Sequence, residues 1–146
     1  MKIYADASFL VSLYIPDANS FAALRTAQAS SGNRFVTALC QLEVTNAFGL
    51  RVFRKQASPV EANSALANFE RDLGEGLFQL IGLPEHVFER ARQLSQQTTA
   101  TFGTRTADLL HVAAALELGA KSLFTFDQRQ HEAAQAAGLK LNQLPT

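Results

Sequence analysis

Five short apolar runs separated by longer helical patterns limit this chain to one class of fold. The runs IYA (3–5), RFVT (34–37), LFQLI (77–81), SLFTF (122–126) and LKLNQL (139–144) are short and either apolar or alternating, as strands should be. The intervening stretches carry helix signals. Ser8 is placed to cap a helix that Pro16 stops, and 18–30 is Ala-rich and ends near Gly32. Residues 39–56 carry apolar side chains at Leu39, Leu42, Val44, Phe48, Val52 and Phe53. Ser58-Pro59-Val60-Glu61 reads as a capping box with proline at the first helical position, opening a helix that fades at Gly74 and Gly76. Helices over 84–98, 106–118 and 128–137 complete the pattern, the last two closed by Gly119 and Gly138. Strands alternating with helices require crossover connections, so the expected fold is a single α/β domain over 1–146, a mainly parallel sheet flanked by helices.

Composition narrows the function classes. The 146 residues suit one domain able to bury a core without covalent staples. With 13 Lys and Arg against 13 Asp and Glu, any contact with nucleic acid must come from local patches, not from a broadly basic surface. The single cysteine, Cys40, excludes an internal disulfide and a Cys-rich zinc site, and reads as a small buried apolar residue. The chain shows neither a secretory leader nor an apolar run of the ~18 residues that a membrane span needs, so the expected location is cytoplasmic.

The acids are less ordinary. In an open α/β sheet, ligands gather beyond the carboxyl ends of the strands. Asp6 follows the first strand and Asp127 the fourth, so two acids far apart in sequence fall at one edge of one sheet. Glu43 lies among Leu39, Leu42, Val44 and Ala47, in or beside the helix face that should pack on the sheet. Asp108 opens the small, apolar helix of RTADLLHVAAALELG. Capping accounts for some of these singly: Asp6 can help start the first helix, Asp127 can cap the last with Gln130 closing a capping box, and Asp108 can answer the helix dipole. Glu43 has no capping role, and Arg51 on its own helix is beyond i,i+4 reach. Carboxylates crowded at one sheet edge repel one another and raise each other's pKa unless a cation neutralises them. An all-oxygen set suits a hard divalent ion, Mg2+ or Mn2+.

These residues resemble the PIN-domain family, most closely its bacterial VapC-type toxin ribonucleases. The resemblance rests on the order and spacing of the opening strand with D-A-S (6–8), the helix carrying Glu43, T-A-D-L-L-H-V-A-A-A-L-E-L-G-A (106–120) and L-F-T-F-D-Q-R (123–129). It implies that Asp6, Glu43, Asp108 and Asp127 form a catalytic, metal-binding quartet for Mg2+ or Mn2+. It further implies hydrolysis of phosphodiester bonds in single-stranded regions of RNA. Two partners are also implied: a second copy of the chain in a homodimer, and a small cognate antitoxin that plugs the acidic pocket, often through a basic side chain.

Other residues rank behind the quartet. Ser8 and Thr106 are expected to support the acids through hydrogen bonds, although capping explains each as well. His111, one turn after Asp108, reads as a hydrogen-bonded packing residue. Arg51, Arg54 and Lys55, on the helix that carries Glu43, with Arg105 and Arg129, are the candidates for phosphate contact. Two other classes compete. An aspartyl phosphatase or receiver domain also uses an Asp at a strand end with Mg2+, but Asp6-Ala7-Ser8 lacks the Asp-x-Asp pair and Lys121 precedes its strand. A non-catalytic PIN-fold module for RNA or protein docking would keep the fold without needing the four acids.

Overall fold

The computed structural model describes residues 1–144; Pro145 and Thr146, included in the expected domain, lie outside them. The described elements are β1 (Lys2–Ala5), α1 (Ala7–Tyr14), α2 (Ser20–Ala29), β2 (Asn33–Thr37), α3 (Ala38–Phe53), α4 (Pro59–Gly74), β3 (Gln79–Ile81), α5 (Val87–Phe102), α6 (Thr106–Glu117), β4 (Ser122–Phe124), α7 (Gln128–Ala136) and β5 (Lys140–Leu141). All strand pairs are parallel, in one five-stranded sheet of order β3-β2-β1-β4-β5. The expected α/β architecture is therefore the observed one.

Strand order fixes where the helices go. The chain steps from β1 through β2 to β3 in one direction, then returns across the sheet to β4 and continues to β5 in the other. Right-handed crossovers put helices on opposite faces for opposite directions. Accordingly α1 to α4 pack on one another, and α5, α6 and α7 pack on one another. Sandwiched between them, consecutive residues of β1 (Ile3, Tyr4, Ala5) are all buried, as are Phe35 and Val36 of β2 and Leu123 and Phe124 of β4. The register sets Tyr4 beside Phe35 on one side and Leu123 on the other.

Helix ends depart from the expectations in informative ways. Asp6, not Ser8, caps α1: its side chain accepts a hydrogen bond from the Phe9 amide. The Ser58 capping box is complete, with Glu61 reaching back to the Ser58 amide. No capping box closes α7, because Asp127 accepts from the Gln130 amide while the Gln130 side chain turns away to Asp6. The α3 stripe is also narrower than its pattern predicts: Cys40, Val44 and Phe48 are buried, whereas Leu42 and Phe53 are exposed. Gly32 precedes β2 at φ +125°, where a Cβ would stand 2.4 Å from the Met1 carbonyl oxygen. That carbonyl accepts from the Asn33 amide and so aligns the starts of β1 and β2. Among the described residues no helix is long and apolar enough to cross a membrane.

Candidate active site

Sheet order reverses between β1 and β4, the two neighbours that leave in opposite directions. Such a switch point opens a crevice beyond the carboxyl ends of the strands. Asp6 follows β1 there, and its amide donates to the Phe124 carbonyl at the end of β4, at 3.1 Å. A cavity of about 270 Å³ at this place is lined by Asp6, Glu43, Asp108 and Asp127 together with Ser8, Arg105, His111 and Gln130. Four acids from four separate elements thus share one cavity.

Asp6 is almost wholly buried and heavily hydrogen-bonded. Oδ1 accepts from Ser8 Oγ (2.8 Å) and the Phe9 amide (2.9 Å), while Oδ2 accepts from Thr125 Oγ1 (2.7 Å) and Gln130 Nε2 (2.8 Å). Burial nevertheless raises its pKa, with the charge of His111 and the Phe9, Thr125 and Ser8 hydrogen bonds pulling the other way. Ser8 is tied in further: the Phe126 amide donates to Ser8 Oγ at 2.9 Å, joining the β4 exit to α1.

Asp108 and Asp127 meet through a cation supplied by the chain. Arg105 Nη2 donates to Asp127 Oδ2 at 2.6 Å, and Arg105 Nε and Nη2 lie 3.2 and 3.3 Å from the two carboxylate oxygens of Asp108. The Arg105 amide also donates to Asp108 Oδ2 at 2.8 Å, which makes Asp108 the side chain that satisfies the start of α6. Asp108 raises the Arg105 pKa most, with Asp127 adding to it.

Glu43 completes the set from α3, one-third exposed and hydrogen-bonded to Nε2 of the buried His111. The other ring nitrogen, Nδ1, lies 2.7 Å from Tyr4 Oη. Tyr4 Oη in turn lies 3.1 Å from Thr37 Oγ1 and 3.2 Å from Cys40 Sγ, so a continuous buried polar chain runs from the end of β2 to Glu43. Burial lowers the His111 pKa, but the neighbouring Cys40 and Glu43 groups outweigh it and hold the imidazole well above the ordinary histidine range.

The donor set fits a hard divalent ion in chemistry, since every acid that lines the cavity offers oxygen. As the side chains stand, Arg105 bridges Asp108 and Asp127, and His111 faces Glu43. Among the described residues no three His, Cys, Asp or Glu side chains form a group that could hold a metal ion. Arg105 stands between Asp108 and Asp127, and its side chain is 59% exposed.

The remaining sequence candidates are spread around this centre. Thr106 is exposed at the first position of α6 and does not line the cavity, whereas Ser8 does. A second hollow of about 480 Å³ shares Ser8, Glu43 and Asp127 with the acid cavity and continues to Asn46, Arg51 and Arg54. Arg51 is held there by Asp17, at 3.0 Å. Lys55 and Arg129 are exposed and line neither hollow. Sequence reading missed Thr125 and misassigned Gln130, whose contacts with Asp6 span more than a hundred residues of chain. The one available signal was a threonine and a glutamine flanking Asp127, polar residues just beyond an apolar strand.

Residues 3–136 match the family model described as PIN domain. No curated protein matches the chain. Among solved structures, VapC20 of Mycobacterium tuberculosis, a sarcin-ricin loop cleaving toxin, is similar at 18% identity and a TM-score of 0.71, over 98% of this chain and 99% of that one. FitAcB of Neisseria gonorrhoeae is similar at 16% identity and 0.67, over 97% and 96%. VapBC2 of Rickettsia felis, bound to a DNA fragment from its promoter, gives 16% and 0.65, over 97% of each chain. At such identities these likenesses speak for the fold.

Proposed function

The chain belongs to the PIN-domain family, and from that premise we propose that it is a metal-dependent endoribonuclease that cuts single-stranded regions of RNA in the cytoplasm. We propose further that it is the toxin of a type II toxin–antitoxin pair. The observation that carries the reading is the common cavity of Asp6, Glu43, Asp108 and Asp127 at the switch point of the sheet. A cluster of carboxylates is suited to hydrolysis assisted by a divalent ion.

In this reading Asp6, Glu43, Asp108 and Asp127 hold Mg2+ or Mn2+. The ion, when bound, lowers the pKa of a water and stabilises charge on the phosphate and the leaving oxygen. Ser8, Thr125 and Gln130 keep the Asp6 carboxylate in one orientation, as the support of a metal ligand would. Arg105, once clear of Asp108 and Asp127, is beside the cavity and free to meet a phosphate. Arg54, at the far end of the adjoining hollow, offers a second phosphate contact along the strand.

The antitoxin enters through the same electrostatics. A guanidinium already bridges two acids of the cavity in this chain, and an arginine from a partner protein would find the same bidentate acceptors. Similar solved structures include a toxin-antitoxin complex from Klebsiella pneumoniae, which is consistent with a partner of this kind.

The saturated Asp6 and the Arg105 bridge also suit a non-catalytic docking module, and one experiment separates the two readings. Labelled, partly single-stranded RNA is incubated with the purified chain in Mg2+, in Mn2+ and in EDTA, beside Asp108→Asn. Cutting that requires the ion and disappears in the variant is expected. Cutting that survives EDTA or Asp108→Asn overturns the assignment; no cutting of any RNA, with no ion bound in a titration, favours the docking module.

A further inference from the structure

His111 is an expensive residue for its place. It sits in the middle of the fully buried run Asp108–Ala115, where an apolar side chain would pack without any polar group to satisfy. One nitrogen is anchored by Tyr4 Oη at 2.7 Å, and the other meets Glu43, on a different helix and at the wall of the acid cavity. A carboxylate can only accept, so Nε2 carries the hydrogen in either charge state of the ring. The ring plane is set at both ends: Tyr4 Oη is itself fixed by Thr37 Oγ1 and Cys40 Sγ, and the Tyr4 and His111 rings meet edge to face at 5.8 Å. Glu43, by contrast, is one-third exposed on a helix surface, where a glutamate is otherwise free among several rotamers.

We infer that His111 is a positioning residue: anchored by Tyr4, it donates to one oxygen of Glu43 and thereby aims the other at the ion that the acid cavity takes. The inference rests on the metal-dependent reading above and adds to it a residue that acts through Glu43. It also gives Tyr4 a role beyond packing, as the fixed end of the relay. Polar partners behind a metal ligand act by ordering it, and their removal typically weakens metal binding by about 10- to 100-fold.

Mn2+ binding to the full-length chain, followed by electron paramagnetic resonance of the free ion, tests this without recourse to activity. The series is the unaltered chain, Glu43→Gln, His111→Leu, His111→Gln and Tyr4→Phe, each with its metal-free melting temperature. His111→Leu is expected to weaken Mn2+ binding by about tenfold or more, and His111→Gln, which keeps a donor near the Nε2 position, to recover most of the loss. Metal-free stability is not expected to follow that order, because Leu suits the apolar core better than Gln. Should His111→Leu fail to fold, Tyr4→Phe removes the anchor instead and is expected to weaken binding several-fold. Weak binding in Glu43→Gln with unchanged binding in His111→Leu, or in Tyr4→Phe where His111→Leu does not fold, overturns the positioning role alone. Unchanged binding in Glu43→Gln, or none in the unaltered chain, overturns the ligand assignment and the positioning role together.

Discussion

Asp17 shows how a single carboxylate can organise three helices away from the acid cavity. It accepts from Ser12 Oγ (2.9 Å) on α1 and from the Asn19 amide (2.8 Å) ahead of α2, and it pairs with Arg51 on α3. Burial pushes its pKa up, but the Arg51 hydrogen bond, with the Asn19 and Ser12 bonds, carries it below the ordinary aspartate value. A lowered carboxyl pKa stabilises the fold above the unfolded-state value near 4, and that contribution is lost as pH falls through the lower folded-state value. Asp17→Asn is therefore expected to cost about 1 kcal/mol at pH 7, with the difference from the unaltered chain vanishing in strong acid; urea unfolding at a series of pH values reads it. A difference that grows on acidification would show the sign to be wrong. The same ion pair qualifies a sequence expectation, since Arg51 is engaged within the protein while the exposed Arg54 is available to a phosphate. At this scale Asp6 and Asp127 are legible because their positions just after strands are local facts, and Glu43 and Asp108 because each is a carboxylate in an apolar helical stretch. Their partners are not: Gln130 to Asp6, His111 to Glu43 and Arg105 to Asp127 are contacts that only tertiary packing creates.

Elements were read most reliably where backbone chemistry is local. The Ser58 box with Pro59 and the glycines after α6 and α7 satisfy helix ends through neighbours in sequence, and all were visible there. The last three strands are shorter than expected, while β1 and β2 each begin one residue earlier: β3 begins at Gln79, β4 ends at Phe124, and β5 is confined to Lys140–Leu141, because apolar residues such as Phe78 and Leu139 fill the core without joining the ladder. The start of α1 was misread since Ser8 and Asp6 are both good caps, and the choice between them depends on where β1 releases the chain. Gly32 offers a test at this scale. At φ +125° a side chain is strained, and its Cβ would collide with backbone at Met1, whereas Gly76, at φ +80°, has nothing within 4 Å of the added atom. Gly32→Ala is expected to destabilise by roughly 1–3 kcal/mol and Gly76→Ala by the lower part of that range, as measured by denaturant unfolding. Equal losses would mean that the Met1 contact yields freely and does not align β1 with β2.

The whole molecule has no net formal charge, so the RNA contacts proposed above must come from local basic side chains such as Arg54 and Arg105. Large exposed apolar side chains, among them Leu42, Phe53, Phe21 and Phe88, leave surface for association. Sedimentation at micromolar concentration is expected to give twice the chain mass, the homodimer that the family resemblance implies; a monomer throughout that range would remove it. The fold class was legible from alternation alone, because parallel strands need crossovers and crossovers have one hand. The order of the strands was not, and it is the order that sets Asp6 beside Thr125 and Asp127. That arrangement has a consequence for truncation. The cavity draws on residues 6, 43, 108 and 127, and β4 lies next to β1 although more than a hundred residues separate them in sequence. A chain cut before β4 keeps the Asp6 carboxylate but loses Thr125 and Gln130, so both donors to Asp6 Oδ2 go with the fourth acid.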